Sequence, residues 1–312
     1  MGSAADTVPP QRPDGAWHEA VPYSSPSHLA QRLAPRVAAA TAVGDPVVAV
    51  LDDAAGAELR AALGPDAAEV DFQDPRDVHR VPGFTVAVRW ARTSRRITVP
   101  GGRALVIGQQ VDGLTEPEHW ARLDIGLDVA TEGLPITVLC PVLDDSPHLP
   151  RVRATHPVLA TAGGWQRSAG YRLPSEAVVD HPPPPPPDLG PPAAELGFGP
   201  GGLLELRRLV AAVAAGTLGP ERVADVVLAV NELASNSLEH GPGSGRLRMW
   251  TGDGVVAEVA DRSRMAVPFP GMVPPPPDGA RGRGLWLASE LCDVLEMWSD
   301  DGGTVIRLHA GA

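Results

Sequence analysis

Asn231-Glu232-Leu233-Ala234-Ser235-Asn236-Ser237-Leu238-Glu239-His240-Gly241 closes a helical pattern that runs from Glu221 to His240. At about 100° per residue, Val223, Val226, Val227, Val230, Ala234 and Ser237 share one face, while Glu232, Asn236 and His240 line up on another. An amide oxygen and a carboxylate one turn apart suit a hard Mg ion, which takes oxygen ligands and keeps waters and substrate phosphates. The carboxylate is equally placed to act as a general base. The solvated side of an ordinary amphipathic helix shows the same stripe, and periodicity alone does not separate the readings. Leu228 and Ala229, close to the stripe, make this side less polar than a free surface usually is.

Working outward, Pro220 opens the helix at its first turn, and a shorter helical pattern from about Leu203 to Ala215 precedes it. Strand-like segments follow at Arg246 to Thr251, Val255 to Asp261, Val294 to Trp298 and Thr304 to Leu308, the last two flanking an Asp300-Asp301-Gly302-Gly303 hairpin turn. Helices grouped beside mainly antiparallel strands predict a two-layer α/β sandwich. Asp261 ends one strand, where its carboxylate is placed to accept a hydrogen bond from an adenine amino group or simply to turn the chain. Arg281-Gly282-Arg283-Gly284-Leu285-Trp286-Leu287-Ala288 puts two glycines before a helix running to about Cys292. Glycines let backbone approach phosphates, and the helix N-terminus offers free N–H groups, although flexible turns also use Gly-x-Gly.

Upstream, Pro182 to Pro187 and the following Asp188-Leu189-Gly190-Pro191-Pro192 supply few backbone donors and favour polyproline II, a semi-rigid spacer. The expected organisation is a disordered tail at 1–16, an N-terminal domain at 17–175, a linker at 176–195 and a C-terminal domain at 196–312. Between tail and linker, Val47 to Leu51, an Ala/Leu-rich stretch from Ala54 to Leu63, Ala104 to Ile107, a helix from about Glu116 to Glu132 and Ile136 to Cys140 alternate strand with helix. That alternation predicts an α/β domain with a largely parallel sheet. Its first strand-to-helix turn, Asp52-Asp53-Ala54-Ala55-Gly56-Ala57, has no phosphate-binding glycine pattern, and its aspartates disfavour phosphate.

Composition narrows the chemistry. The 312 residues, 43% of them hydrophobic, suffice for two domains with cores of their own. All 26 basic residues are arginine. Without lysine there is no P-loop, no ordinary protein-kinase site and no pyridoxal-phosphate Schiff base. A formal charge of −12 gives non-specific nucleic-acid binding little electrostatic support. The longest apolar runs are strand-sized, far short of the ~20 residues a membrane span needs, and the N-terminus has no basic and apolar signal region. The expectation is a cytoplasmic protein. Cys140 and Cys292 lie far apart in apolar stretches without metal-type spacing and read as small buried hydrophobes.

Taken in order, Glu232-x-x-x-Asn236-x-x-x-His240, Asp261 and Gly282-x-Gly284-Leu285 resemble the N box and the two glycine boxes of the GHKL ATPases. The wording from Gly282 to Asp293 looks like the branch found in actinobacterial anti-sigma regulators. The resemblance covers about residues 196 to 312. It implies ATP and Mg as cofactors: Asn236 holding the metal, Glu232 activating the acceptor hydroxyl, Asp261 reading adenine, and the box from Gly282 through Arg283 and Gly284 to Leu285 binding phosphates. His240 has no such role and would cap the helix. The sequence departs from the family at Arg262-Ser263-Arg264, where glycines often follow the aspartate, and Pro268 to Pro277 would form the lid.

Tyr23-Ser24-Ser25-Pro26, the run Pro135 to Pro141 and Thr155-His156-Pro157 make about residues 17 to 175 similar to the MEDS sensory domain. The combination resembles RsbA-type anti-sigma regulatory proteins. It implies an anti-anti-sigma (STAS-type) protein or a sigma factor as partner, a small-molecule signal for the N-terminal domain and a possible homodimer. His18, His156 and Trp165 are candidate ligand contacts, or structural residues.

Overall fold

The chain divides between His181 and Pro182 into two units, each built on its own sheet. This computed structural model describes residues 15–96, 101–265, 268–269, 271–275 and 283–311; most of the expected tail, and Gly282, lie outside them.

The first unit runs β1 (Trp17–Tyr23), α1 (Pro26–Thr41), β2 (Val47–Val50), α2 (Asp53–Leu63), β3 (Val70–Gln73), α3 (Pro75–Val78), α4 (Gly83–Arg95), β4 (Ala104–Gly108), α5 (Pro117–Ala130), β5 (Ile136–Leu143), α6 (Leu149–Thr155), β6 (Val158–Thr161), β7 (Gly164–Arg167) and α7 (Pro174–Ala177). Among the described residues its sheet has the order β3-β2-β4-β5-β1-β6-β7, with every pairing parallel except β6 with β7. A parallel sheet covered by helices is apolar on both faces. All five residues of β4 are buried accordingly. Asp52, in the expected turn, caps α2 by accepting from Ala55 N at 2.8 Å.

Sequence periodicity missed β1, because His18 and Glu19 interrupt its apolar run. Both are buried with partners: Glu19 accepts two hydrogen bonds from Arg36, at 2.9 and 2.8 Å, and His18 donates to Asp128 at 2.8 Å. Paired polar groups inside a strand are tolerated where unpaired ones are not.

The second unit runs β8 (Ala194–Phe198), α8 (Leu203–Ala214), α9 (Pro220–Glu239), β9 (Gly245–Thr251), β10 (Gly254–Asp261), α10 (Arg283–Leu291), β11 (Val294–Asp300) and β12 (Gly303–Gly311). Its strands form an antiparallel sheet of order β11-β12-β10-β9-β8. The core lies between one face of this sheet (Leu247, Met249, Val255, Ala257, Val259, Ile306, Leu308) and the three helices (Leu206, Val210, Val226, Val230, Leu233, Ala288). This is the expected two-layer sandwich, with the β11–β12 hairpin turning at Asp300 to Gly303. Pro184 and Pro187, in the expected spacer, accept hydrogen bonds from Trp298 and Arg307 on the outer face of that sheet.

Candidate functional site

The site is assembled around the C-terminal half of α9. Its apolar face is anchored by Val226, Val230, Leu233, Ala234 and Ser237, all buried. Of the two residues beside the stripe, Ala229 is buried and Leu228 exposed. This anchoring leaves Glu232 and Asn236 half-buried one turn apart, and His240 exposed beyond them. Neither the Glu232 nor the Asn236 side chain makes a hydrogen bond or ion pair among the described residues, whereas Asn231 accepts from Arg207 Nη1 at 3.0 Å. His240 is the C-cap residue; its backbone N–H donates to the Asn236 carbonyl at 2.9 Å.

α10 crosses this surface with its first turn. A β-carbon added at Gly284 would lie 3.0 Å from Glu232 Oε2 and 3.3 and 3.4 Å from the two ends of the Asn236 amide. A glycine there lets the start of α10 approach both groups; a larger residue would press on their side-chain ends by a few tenths of an ångström. A helix N-terminus thus opens beside a carboxylate and an amide, and such a combination offers donors to phosphate and oxygen ligands to a metal. Arg283 is exposed at the first position of α10, and Leu285 packs half-buried on the core. Gly282 lies outside the described residues.

Asp261 ends β10 at the same end of the unit. A β-carbon at Gly241, just past α9, would stand 3.1 Å from Asp261 Oδ2. The other oxygen, Oδ1, is taken: it accepts from Ser263 N at 2.7 Å and from the Ser263 hydroxyl. Among the described residues Oδ2 has no hydrogen-bond partner and stands beside Gly241. The Arg262-Ser263-Arg264 segment is fixed by its own bonds, with Thr304 Oγ1 donating to the Ser263 carbonyl at 2.9 Å and Arg264 pairing with Asp301 at 3.1 Å. Within the expected lid, Gly271 at φ 74° approaches α10 so closely that a β-carbon would lie 2.7 Å from the Leu285 carbonyl oxygen, and Met272 is buried. Pro270, Pro276 and Pro277 lie outside the described residues.

In the first unit, His18 and His156 come together with ring centroids 4.2 Å apart, while Trp165 packs edge-on against Trp17 at 5.2 Å. A second histidine pair, which sequence pattern did not single out, joins α5 to the segment after α3: His79 Nδ1 lies 3.1 Å from His119 Nε2 beside Trp90 and Trp120. Burial pushes His79 down to about 3, with His119 adding to the effect, and burial pushes His119 down to about 4, helped by Arg122 and Arg151 against Asp124. Both are neutral in the folded unit at pH 7.

The unfolded chain takes up protons at these sites below about pH 6.5, and the folded chain does so only near pH 4 and below. Their contribution is therefore complete above pH 6.5 and is lost as pH falls towards 4 and then 3. The expected loss is about 1.4 kcal/mol per pH unit for each such histidine. Hydrogen exchange of the α4 and α5 amides across pH 7 to 5 checks this. A flat profile, or one unchanged in His79→Gln, refutes it.

Residues 198–310 match the family model described as a histidine kinase-like ATPase domain. No curated protein matches the chain. Among solved structures, the crystal structure of the RsbU and RsbW domains of Rv1364c from Mycobacterium tuberculosis matches with 20% identity and a TM-score of 0.29, covering 38% of this chain and 33% of that one. The C-terminal unit thus carries a histidine kinase-like ATPase domain over about a third of the chain, and the match spans a third of the length of that solved chain.

Proposed function

We propose that the C-terminal domain binds Mg-ATP and transfers its γ-phosphoryl group to a serine or threonine of an anti-anti-sigma protein, under the control of a MEDS-like sensory domain formed by the first unit. The reading rests on the RsbA-type resemblance of the sequence and on one observation above all: Gly284 at the start of α10 stands against both Glu232 and Asn236. These residues fit the group. Asn236 would hold the metal, the amides opening α10 from Arg283 to Leu285 would take phosphate oxygens, and the uncommitted Oδ2 of Asp261 would accept from the adenine amino group. Bound Mg-ATP supplies an activated phosphoryl group with its charge neutralised by the metal. Glu232, beside Asn236, would take the proton of the acceptor hydroxyl.

A second reading has an observation of its own. Arg262, Ser263 and Arg264 stand where glycines would let backbone close on a nucleotide, and Ser263 already occupies one oxygen of Asp261. On this reading the domain regulates a sigma factor or its antagonist by binding alone. No helix among the described residues is long and apolar enough to cross a membrane.

Calorimetric titration of Mg-ATP into the full chain separates the two. Saturable binding is expected, weakened about 10- to 100-fold by Asn236→Ala, as befits loss of a contact to a charged group worth about 1.5–3 kcal/mol. No heat of binding to the folded chain, or affinity unchanged in Asn236→Ala, would remove the nucleotide site and leave the binding module.

A further inference from the structure

Four chemistry-bearing side chains that the ATPase reading does not use meet inside the first unit. His18 on β1, Asp124 on α5, Cys140 on β5 and His156 just after α6 each offer one donor atom within 4.8 Å of the other three. All four are buried: Asp124 and His156 are 0% exposed, Cys140 2% and His18 3%. The parallel register creates the meeting, because His18 lies opposite Val138 and Ala20 opposite Cys140, which puts His18 and Cys140 on one face of the sheet.

We propose that this cluster is a closed binding site for a divalent transition-metal cation of zinc type, with a two-histidine, one-cysteine, one-aspartate ligand set. Each observation around it fits that chemistry. His18 Nε2 lies 3.4 Å from Cys140 Sγ, close to the edge of about 3.5 Å between a nitrogen and a sulfur ligand on a tetrahedral zinc. The other nitrogen of His18 donates to Asp128 at 2.8 Å, and Asp128 in turn accepts from the Tyr171 hydroxyl at 2.8 Å. A carboxylate behind a histidine fixes the ring with its second nitrogen free for metal. His156 has the backbone version of the same support, Nδ1 donating to the Val152 carbonyl at 3.0 Å, and its buried Nε2 has no hydrogen-bond partner among the described residues. Asp124 is held by Gln110 at 3.0 and 3.1 Å and by Thr155 at 2.9 Å. Such oriented ligands with satisfied supporting contacts are what a built metal site shows.

Charge points the same way. A thiolate and a carboxylate cancel a divalent cation, and a neutral set is the one that full burial tolerates. A thiolate with two imidazoles favours zinc or a neighbouring transition metal over Mg or Ca, which prefer all-oxygen sites. Cys140, His18 and Asp128 also have the order of a nucleophile, a base and an orienting acid. Cys140 is only 2% exposed, however, so a substrate does not reach its sulfur, whereas an ion is enclosed as the unit folds. Cys140, read from the sequence as a small buried hydrophobe, is buried, and strand register rather than sequence spacing brings it to His18.

The test is cobalt substitution in the full chain. Metal analysis of the purified protein, followed by chelation and reloading with Co(II), is expected to give one ion per chain. The expected spectrum has the visible bands of a tetrahedral site and a near-ultraviolet sulfur-to-cobalt charge-transfer band, all displaced by Zn(II). Cys140→Ser removes the charge-transfer band and Cys292→Ser keeps it. Asp128→Asn, which leaves all four ligands in place, keeps the spectrum and weakens affinity about 10- to 100-fold. A folded wild-type chain that shows no charge-transfer band overturns the proposal. So does a band that survives Cys140→Ser or disappears in Cys292→Ser, or an affinity unmoved by Asp128→Asn.

Discussion

Glu232→Gln is expected to lower phosphoryl transfer to the partner hydroxyl by about 10²- to 10⁴-fold, the contribution of a positioned general base, while Mg-ATP affinity stays within about threefold. The substitution keeps the size of the side chain, which matters because Glu232 Oε2 lies only 3.0 Å from where a β-carbon of Gly284 would stand. What it removes is the ability to accept a proton. Metal binding is assigned to Asn236, so a change confined to Glu232 separates rate from affinity. Single-turnover transfer measured beside calorimetric affinity reads both quantities. If rate and affinity fall together, Glu232 belongs to the metal site. If neither falls, it belongs to the solvated face of α9.

How much of this was legible in the sequence depends on whether the signal was local. The spacing of Glu232 and Asn236 is a property of one helix, and residues four apart share a face in any helix. The approach of Gly284 to both is a tertiary fact. Motif order hinted at it, since a glycine before a helix is common, but no periodicity reports which surface that glycine meets. Ser263 shows the reverse case. The sequence shows a missing glycine; the structure shows that the replacement caps Asp261 Oδ1 and is tied to Thr304.

In the first unit, the strand-helix alternation gave the parallel sheet, because buried parallel strands such as Ala104–Gly108 are continuous apolar runs. The strand Trp17–Tyr23 escaped notice because its two polar residues find partners far along the chain, Glu19 with Arg36 and His18 with Asp128. Cys140 escaped for the same reason. Ligands drawn from two strands, a helix and a loop have no sequence spacing to read, and only the register of β1 on β5 brings them within reach of one another.

The outer face of the second sheet carries the other large effect. Glu258 and Arg307 face each other across β10 and β12, 1% and 3% exposed, on the side away from the helical core. Arg307 donates to Glu258 Oε2 through Nε at 3.2 Å and Nη2 at 2.7 Å; Arg248 binds Oε1. The remaining nitrogen of Arg307 donates to the Pro187 carbonyl at 3.1 Å, and its guanidinium lies 5.8 and 5.4 Å from the rings of Trp250 and Trp298. Glu258→Ala is expected to destabilise the unit by about 3–5 kcal/mol, because it leaves a buried guanidinium without its carboxylate. Most of that is the cost of the stranded charge rather than the worth of the pair. Glu258→Leu combined with Arg307→Met, which removes both charges and keeps the volume, is therefore expected to regain most of the loss. Urea unfolding of the full chain, resolved by exchange of the β10 and β12 amides, measures both variants. A single variant as stable as the parent, or a double variant no better than the single one, would show that this ion pair does not hold the outer face.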